Sequence, residues 1–175
     1  MNPRLLPLGD SAWTVEFGHA IDAAANARVM GLAGRIAAAR KDDPLMAAIT
    51  DIVPTFRSLT VHFDPWSGDA AALGRGLQAL AMEGSEATAT GRQWQLPVCF
   101  DDDFAPDLAR VCELKQLTRT AVIDLLLGAT FRVYMLGFQP GFPYMGGLPA
   151  SLNVPRLASP RQKEPAQSVA IALVT

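Results

Sequence analysis

A segment rich in proline and glycine, residues 139–167, concentrates the side chains of this chain that could bind a small anion. Six of the 13 prolines lie in it. Proline fixes φ and glycine permits positive φ, so the segment is predicted to be a stiff, shaped loop. Arginines in or beside such a loop can bind a carboxylate or phosphate through two parallel hydrogen bonds.

The candidate substrate-binding residues combine this positive charge with aromatic rings and loop backbone. They are Arg132, Tyr134, Gln139, Gly141, Phe142, Tyr144, Arg156 and Arg161. Rings such as Phe138 and Phe142 could wall an apolar pocket. Alternatively, the rings only cover the end of a sheet and the arginines are solvated surface charges. No recognisable pairing of a nucleophile with a general base occurs in the segment, so the catalytic residues stay unassigned.

Familiar nucleotide and metal motifs are missing from the sequence. There is no phosphate-binding loop and no dinucleotide fingerprint. Asp101-Asp102-Asp103 lacks the spacing of a calcium loop, and we interpret it as a solvated turn. Cys99 and Cys112 are too few for a zinc site or a disulfide framework. We therefore expect no metal, and two buried, reduced thiols in a cytoplasmic protein.

The composition is typical of a globular protein with one or two small domains. Half of the 175 residues are apolar, 18% are charged and the formal net charge is −2. A nucleic-acid-binding protein usually carries a basic stripe, which this chain lacks. No apolar run approaches the length of about 18 residues that a membrane span needs. The apolar run near the N-terminus is broken by Pro7 and Asp10, so we expect no signal peptide.

Two modules with different patterns must position the candidate residues. The order strand–strand–helix–strand–strand–helix in residues 1–84 predicts a small sheet with both helices on one face. Asp22 and Asp69 are suitable N-caps for these helices. The small polar residues 83–91 predict a linker.

The second module, residues 92–175, predicts strands joined by two short helices that begin near Pro106 and Thr118. The predicted strands are Trp94–Cys99, Phe131–Phe138 and Ser168–Val174. The fold class of the whole chain is therefore predicted to be α+β.

The string FRVYMLGFQPGFPYMGGL at 131–148 resembles the allophanate hydrolase subunit 1 family. VPRLASPR at 154–161, PAQSVAIA at 165–172 and LPVCFDDDFAPDLARV at 96–111 extend the resemblance, as do GDSAWTVEFG at 9–18 and DIVPTFRSLTVHFDP at 51–65. That family includes the B subunit of 5-oxoprolinase and a Kip-type inhibitor of a sporulation histidine kinase. The resemblance covers nearly the whole chain.

This resemblance implies an N-terminal α+β domain over 1–84 and a cyclophilin-like, carboxyltransferase-type β-barrel domain over 92–175. Three places depart from the family pattern. Leu126 stands where members usually carry a histidine, and Gln167 stands where they carry a glycine. Members also continue into a segment that completes the barrel, whereas this sequence ends at Thr175. The resemblance therefore predicts a C-terminally shortened, incomplete barrel.

The function implied by the resemblance is that of one component of an ATP-dependent 5-oxoprolinase complex, which opens 5-oxo-L-proline to L-glutamate. The implied partners are a C-type chain (allophanate hydrolase subunit 2) and an A-type chain. ATP would be used by the complex, because this chain has no nucleotide motif. Arg132, Arg156 or Arg161 could hold the carboxylate of this small-molecule substrate. The same family also implies two alternatives, a Kip-like module that inhibits a histidine kinase and an allophanate hydrolase/urea carboxylase-type carboxyltransferase component. A degenerate copy without activity is a further alternative.

Overall fold

Two compact units make up the chain, for which a computed structural model describes residues 2–84, 91–159, 161–162 and 165–172. The first unit comprises Met1–Arg92 and Tyr134–Tyr144, and the second comprises Gln93–Val133 and Met145–Thr175. The domain ranges 1–84 and 92–175 stay a prediction. The predicted linker falls largely on residues 85–90, which lie outside the described part of the chain.

A four-stranded antiparallel sheet forms the first unit. Its strand order is β1-β2-β4-β3, with β1 at Arg4–Pro7, β2 at Ala12–Glu16, β3 at Ile49–Pro54 and β4 at Ser58–Phe63. Val15 of β2 pairs with Leu59 of β4, and both side chains are buried against the helices. The apolar residues of these strands thus supply one wall of the core.

Helices cover one face of that sheet. They are α1 (Ala23–Ala39), α2 (Pro44–Ala47) and α3 (Ala70–Met82). The predicted caps are confirmed: the Asp22 carboxylate accepts a hydrogen bond from the Ala25 backbone N–H, and Asp69 accepts from Ala71 and Ala72. Helix α2 was not predicted. It exists because Asp43 caps it and Pro44 suits a first helical turn.

The second unit has a smaller core between two helices and one 3₁₀ turn. Helices α4 (Leu108–Lys115) and α5 (Arg119–Leu127) pack with the turn at Ala150–Leu152. Their buried contacts include Val111, Val122 and Leu152. The hydroxyl of Thr118 caps α5, as the sequence predicts.

Strands β5 (Arg132–Leu136) and β6 (Pro143–Gly146) form a two-stranded sheet. The predicted strand over 131–138 is confirmed, although it is shorter at both ends. The tip of this hairpin, Tyr134–Tyr144, belongs to the first unit.

The predicted strand over 94–99 is wrong. Residues 91–100 carry no regular secondary structure, and Trp94 and Leu96 are each 70% exposed. A strand needs a neighbour for its backbone N–H and C=O groups, and the described residues provide none beside this segment. Cys99 is consequently exposed, contrary to the expectation of a buried thiol.

The C-terminal strand is likewise not seen. Residues 168–172 have no strand, and the rest of that prediction lies outside the described residues. Across the described part of the chain the sheets are small and include no closed barrel, which agrees with the predicted incomplete barrel. None of the helices in this part combines the length and apolar character that a membrane crossing requires.

Candidate functional site

The loop between β5 and β6 has a rigid backbone that its sequence explains. Gln139-Pro140-Gly141-Phe142 forms a turn in which the Phe142 N–H donates to the Gln139 carbonyl at 3.0 Å. Gly141 has φ +80°, and the order proline then glycine is typical of a type II turn. The Gly137 N–H donates to the Phe142 carbonyl at 3.1 Å and closes the loop.

Phe138 occupies a strained position within this loop. Its φ is +60°, and the Gln139 N–H donates to the Gly137 carbonyl at 2.6 Å across it. This geometry is a γ-turn of the rare positive-φ type. The Phe138 side chain is 81% exposed. Strained backbone at a bulky residue persists only where the surrounding structure enforces it, and such residues cluster at functional sites.

Five rings form a continuous chain of contacts, which we call the aromatic cluster: Phe56, Tyr134, Phe138, Phe142 and Tyr144. The ring centroids of Phe138 and Phe142 are 5.8 Å apart, and those of Phe142 and Tyr144 are 5.2 Å apart. Phe56 lies 6.3 Å from Tyr144 and 5.3 Å from Tyr134. Three of these four pairs meet edge to face, an arrangement that aromatic rings favour.

Phe56 is a member of this cluster that sequence reasoning missed. It lies in the turn between β3 and β4, far in sequence from the hairpin. A single phenylalanine in a predicted turn carries no distinguishing pattern, so only its contact with Tyr134 and Tyr144 reveals it.

An open depression at the hairpin tip adjoins the exposed end of the cluster. It is lined by Leu136, Gly137, Phe138, Gln139, Pro140 and Gly141. The Gln139 amide is the polar side-chain group of this lining. The depression therefore combines one aromatic ring, loop backbone and one amide side chain.

Of the eight predicted site residues, five lie in the first unit and three in the second. Tyr134, Gln139, Gly141, Phe142 and Tyr144 belong to the hairpin tip in the first unit. The three arginines belong to the second unit, where Arg132 is half-buried and Arg156 is exposed. Substrate binding by these eight residues stays a prediction.

Arg161 makes a two-point ion pair within the second unit. Its two terminal nitrogens bind the two carboxylate oxygens of Asp107 at 2.7 and 2.5 Å. This hydrogen bonding lowers the pKa of the Asp107 carboxyl from its ordinary value. Arg161 thereby fastens the proline-rich segment to the N-terminal end of α4.

The acidic turn is also partly engaged, since Asp102 pairs with Arg119 at 2.7 Å. Among the described residues, no group of three or more His, Cys, Asp or Glu side chains could hold a metal ion.

Comparison with known proteins relates nearly the whole chain to one group. Residues 3–174 match the family model described as carboxyltransferase domain, subdomain C and D. The chain is 36% identical to the 5-oxoprolinase B subunit of Bacillus subtilis (strain 168), over 94% of this chain and 71% of the relative. It is 33% identical to the 5-oxoprolinase B subunit of Escherichia coli O157:H7, over 96% of this chain and 74% of the relative.

Solved structures agree with this fold. The crystal structure of TTHA0988 superimposes with a TM-score of 0.77 and 32% identity, covering 93% of this chain. This chain spans 31% of that longer protein. The Kluyveromyces lactis urea carboxylase gives a TM-score of 0.59 at 20% identity, over 81% of this chain and 14% of that one. The second likeness concerns the fold alone.

Proposed function

The chain belongs to the carboxyltransferase domain family, subdomains C and D, and from this membership we propose that it is the B component of a 5-oxoprolinase. Such an enzyme opens 5-oxo-L-proline to L-glutamate. The observation that carries the proposal is the 36% identity to a protein of that name over 94% of this chain. Relatives of the same name at 33–37% identity support it further.

The aromatic cluster is the part of the molecule that we assign to the lactam ring. 5-Oxoproline is a small five-membered ring with one amide and one carboxylate. The rings of Phe138 and Phe142 can cover its apolar carbons, and Gln139 can pair with its amide.

Cyclophilin-like architecture of the second domain is part of the same proposal.

ATP and further components complete the proposed reaction. Opening an unactivated lactam is unfavourable enough to require coupling to ATP, through a phosphorylated or otherwise activated carbonyl. The sequence of this chain has no nucleotide motif, so A-type and C-type partners would bind ATP and perform that step. We place the complex in the cytoplasm, where reduced cysteines are usual.

Reconstitution tests the proposal directly. This chain is co-expressed with its A-type and C-type partners, and ATP-dependent release of glutamate from 5-oxoproline is measured. The matched control omits only this chain. Glutamate release that requires this chain is the expected result. A stable complex without turnover would contradict activity of this chain and point to the departures from the family pattern, such as Leu126 and Gln167, as inactivating. No complex would favour a degenerate copy or the Kip-like alternative, and binding to a histidine kinase would then test the latter.

Arginine variants test how the carboxylate is held. Arg132→Ala, Arg156→Ala and Arg161→Ala are assayed in the active complex, and at least one should lower kcat/KM by about tenfold or more, the loss expected for a hydrogen bond to a charged group. Asp107→Asn is the control for Arg161, because it breaks the ion pair but keeps the guanidinium. Equal losses in Asp107→Asn and Arg161→Ala would assign Arg161 to structure. Unchanged kinetics in all three arginine variants would contradict the carboxylate contact.

A further inference from the structure

Asn26 is a polar residue buried inside the core of the first unit. It is 2% exposed and lies on the face of α1 that also buries Ala25, Val29 and Leu32. A buried amide is destabilising unless its hydrogen-bonding groups are satisfied. Its presence among apolar neighbours therefore calls for a partner.

The partners of the Asn26 amide come from two distant segments. Its Nδ2 donates to the Thr55 carbonyl at 3.1 Å and to the Tyr134 carbonyl at 3.3 Å. Thr55 directly precedes Phe56, and Tyr134 lies in β5. One side-chain amide thus joins the backbone of the β3–β4 turn to the backbone of the hairpin.

This link acts where the aromatic cluster is assembled. The rings of Phe56 and Tyr134, whose backbones Asn26 holds, have centroids 5.3 Å apart. The β3–β4 turn is ordered by its own bonds, since the Thr55 N–H and hydroxyl both donate to the Ser58 carbonyl. Those local bonds lie within the turn, whereas the Asn26 bonds also reach the backbone of the hairpin.

We infer that Asn26 is a positioning residue that fastens the hairpin tip to the β3–β4 turn and so sets the geometry of the aromatic cluster. An asparagine is suited to this because a single NH₂ group supplies two donors at once. Aspartate has the same shape but no donor, and leucine has a similar volume but no polar atom. The consequence for substrate rests on the proposed function, whereas the structural role does not.

Hydrogen exchange on the 175-residue chain tests the structural role. In Asn26→Leu and in Asn26→Asp, peptides covering 55–57 and 134–144 should exchange about tenfold faster than in the parent chain, as expected for losing two buried hydrogen bonds. The matched control is Trp13→Phe, which removes another side-chain bond of this unit, from the indole N–H to the Ala70 carbonyl at 2.9 Å. The control should leave those two peptides unchanged.

The outcomes separate this inference from the proposed function. Faster exchange confined to the two segments in the Asn26 variants supports the inference, while unchanged or uniformly faster exchange overturns it. In a reconstituted complex with turnover, Asn26→Leu should raise KM for 5-oxoproline about tenfold with little change in kcat. An unaltered KM would overturn the role in shaping the site. If the parent complex has no turnover, the proposed function fails and the exchange result alone decides the role of Asn26.

Discussion

Phe138 combines backbone strain with an exposed ring, and folding alone explains neither. A positive φ costs an L-residue about 1–2 kcal/mol, and a side chain that is 81% exposed recovers little of it through burial. The turn at residues 139–142 and the Gly137–Phe142 hydrogen bond enforce the conformation. This combination supports the proposal that the Phe138 ring contacts the ligand.

Replacing Phe138 by asparagine tests whether this residue lowers the stability of the fold while contributing to ligand binding. Asparagine tolerates positive φ better than phenylalanine. The free energy of unfolding of Phe138→Asn, measured with urea, should therefore equal that of the parent chain or exceed it by up to about 1 kcal/mol. In the active complex the same variant should raise KM, because the ring wall is lost. Phe142→Leu is the matched comparison, because Phe142 contacts the rings on both sides of it. This variant should lower the free energy of unfolding in addition to raising KM. A Phe138 variant that is clearly less stable would contradict the assignment of strain.

Gly147 is a second residue whose backbone conformation restricts the residue type, here to glycine. Its φ is +111°, and an added Cβ would lie 2.5 Å from the Thr130 carbonyl oxygen. Gly147→Ala should therefore destabilise the chain by roughly 2 kcal/mol or more, measured by urea unfolding. Gly34→Ala is the control, because Gly34 lies in α1 with open space around it and should gain up to about 1 kcal/mol. Similar effects at both positions would contradict the steric argument.

At the scale of elements, one carboxylate joins three parts of the first sheet. Glu16 of β2 accepts hydrogen bonds from Arg4 of β1, with Nε at 3.0 Å, and from Arg57 in the β3–β4 turn. Arg57 also donates to the Gly18 carbonyl at 2.6 Å. The hydrogen bonds from Arg4, and next those from Arg57, lower the pKa of Glu16 from its ordinary value.

This pKa shift predicts a pH-dependent contribution to folding. A carboxyl whose pKa is lower in the folded state stabilises it above the unfolded pKa of about 4.3, and that stabilisation is lost as the pH falls through the folded value. Glu16→Gln should be less stable than the parent chain at pH 7 by about 1 kcal/mol or less, since the arginines are partly exposed. The difference should shrink at pH 3, measured by urea unfolding at both values. A difference that grows on acidification would contradict this account.

At the scale of the whole molecule, the second unit has exposed apolar side chains that are not buried in its small core. Trp94, Leu96 and Val98 occupy every second position of the irregular segment before α4, and all three are exposed. Exposed apolar groups of this kind bind hydrophobic dyes and partner surfaces.

A dye-binding experiment tests whether this segment is the exposed apolar surface. Leu96→Glu should reduce the fluorescence of bound anilinonaphthalene sulfonate by about half, because the apolar row is interrupted. Trp66→Glu is the control, since Trp66 is highly exposed and belongs to the first unit instead of the second. Equal reductions in both variants would show that the dye binds any exposed apolar residue and would contradict a specific role for this segment.

The local elements were readable in the sequence because short-range chemistry determines them. Asp22, Asp69 and Thr118 cap their helices through backbone groups three or fewer residues away. Pro140 and Gly141 also set the turn between β5 and β6 through their own φ preferences. The sequence predicted only a stiff loop over 139–167, however, and strand β6 within that segment was not predicted. The strand over 94–99 failed because a strand depends on a partner, which alternation within one segment cannot reveal.

What the sequence by itself determined is most of the helices and strands of the first module, the helix caps and, through long shared strings, the family. Only the tertiary structure decided that Phe56 completes the aromatic cluster, that Asn26 fastens it, and that Arg161 binds Asp107. Each of these contacts joins residues far apart in the chain. Such pairs form because folding brings whole elements together, and no spacing within a single segment encodes which side chains will then meet.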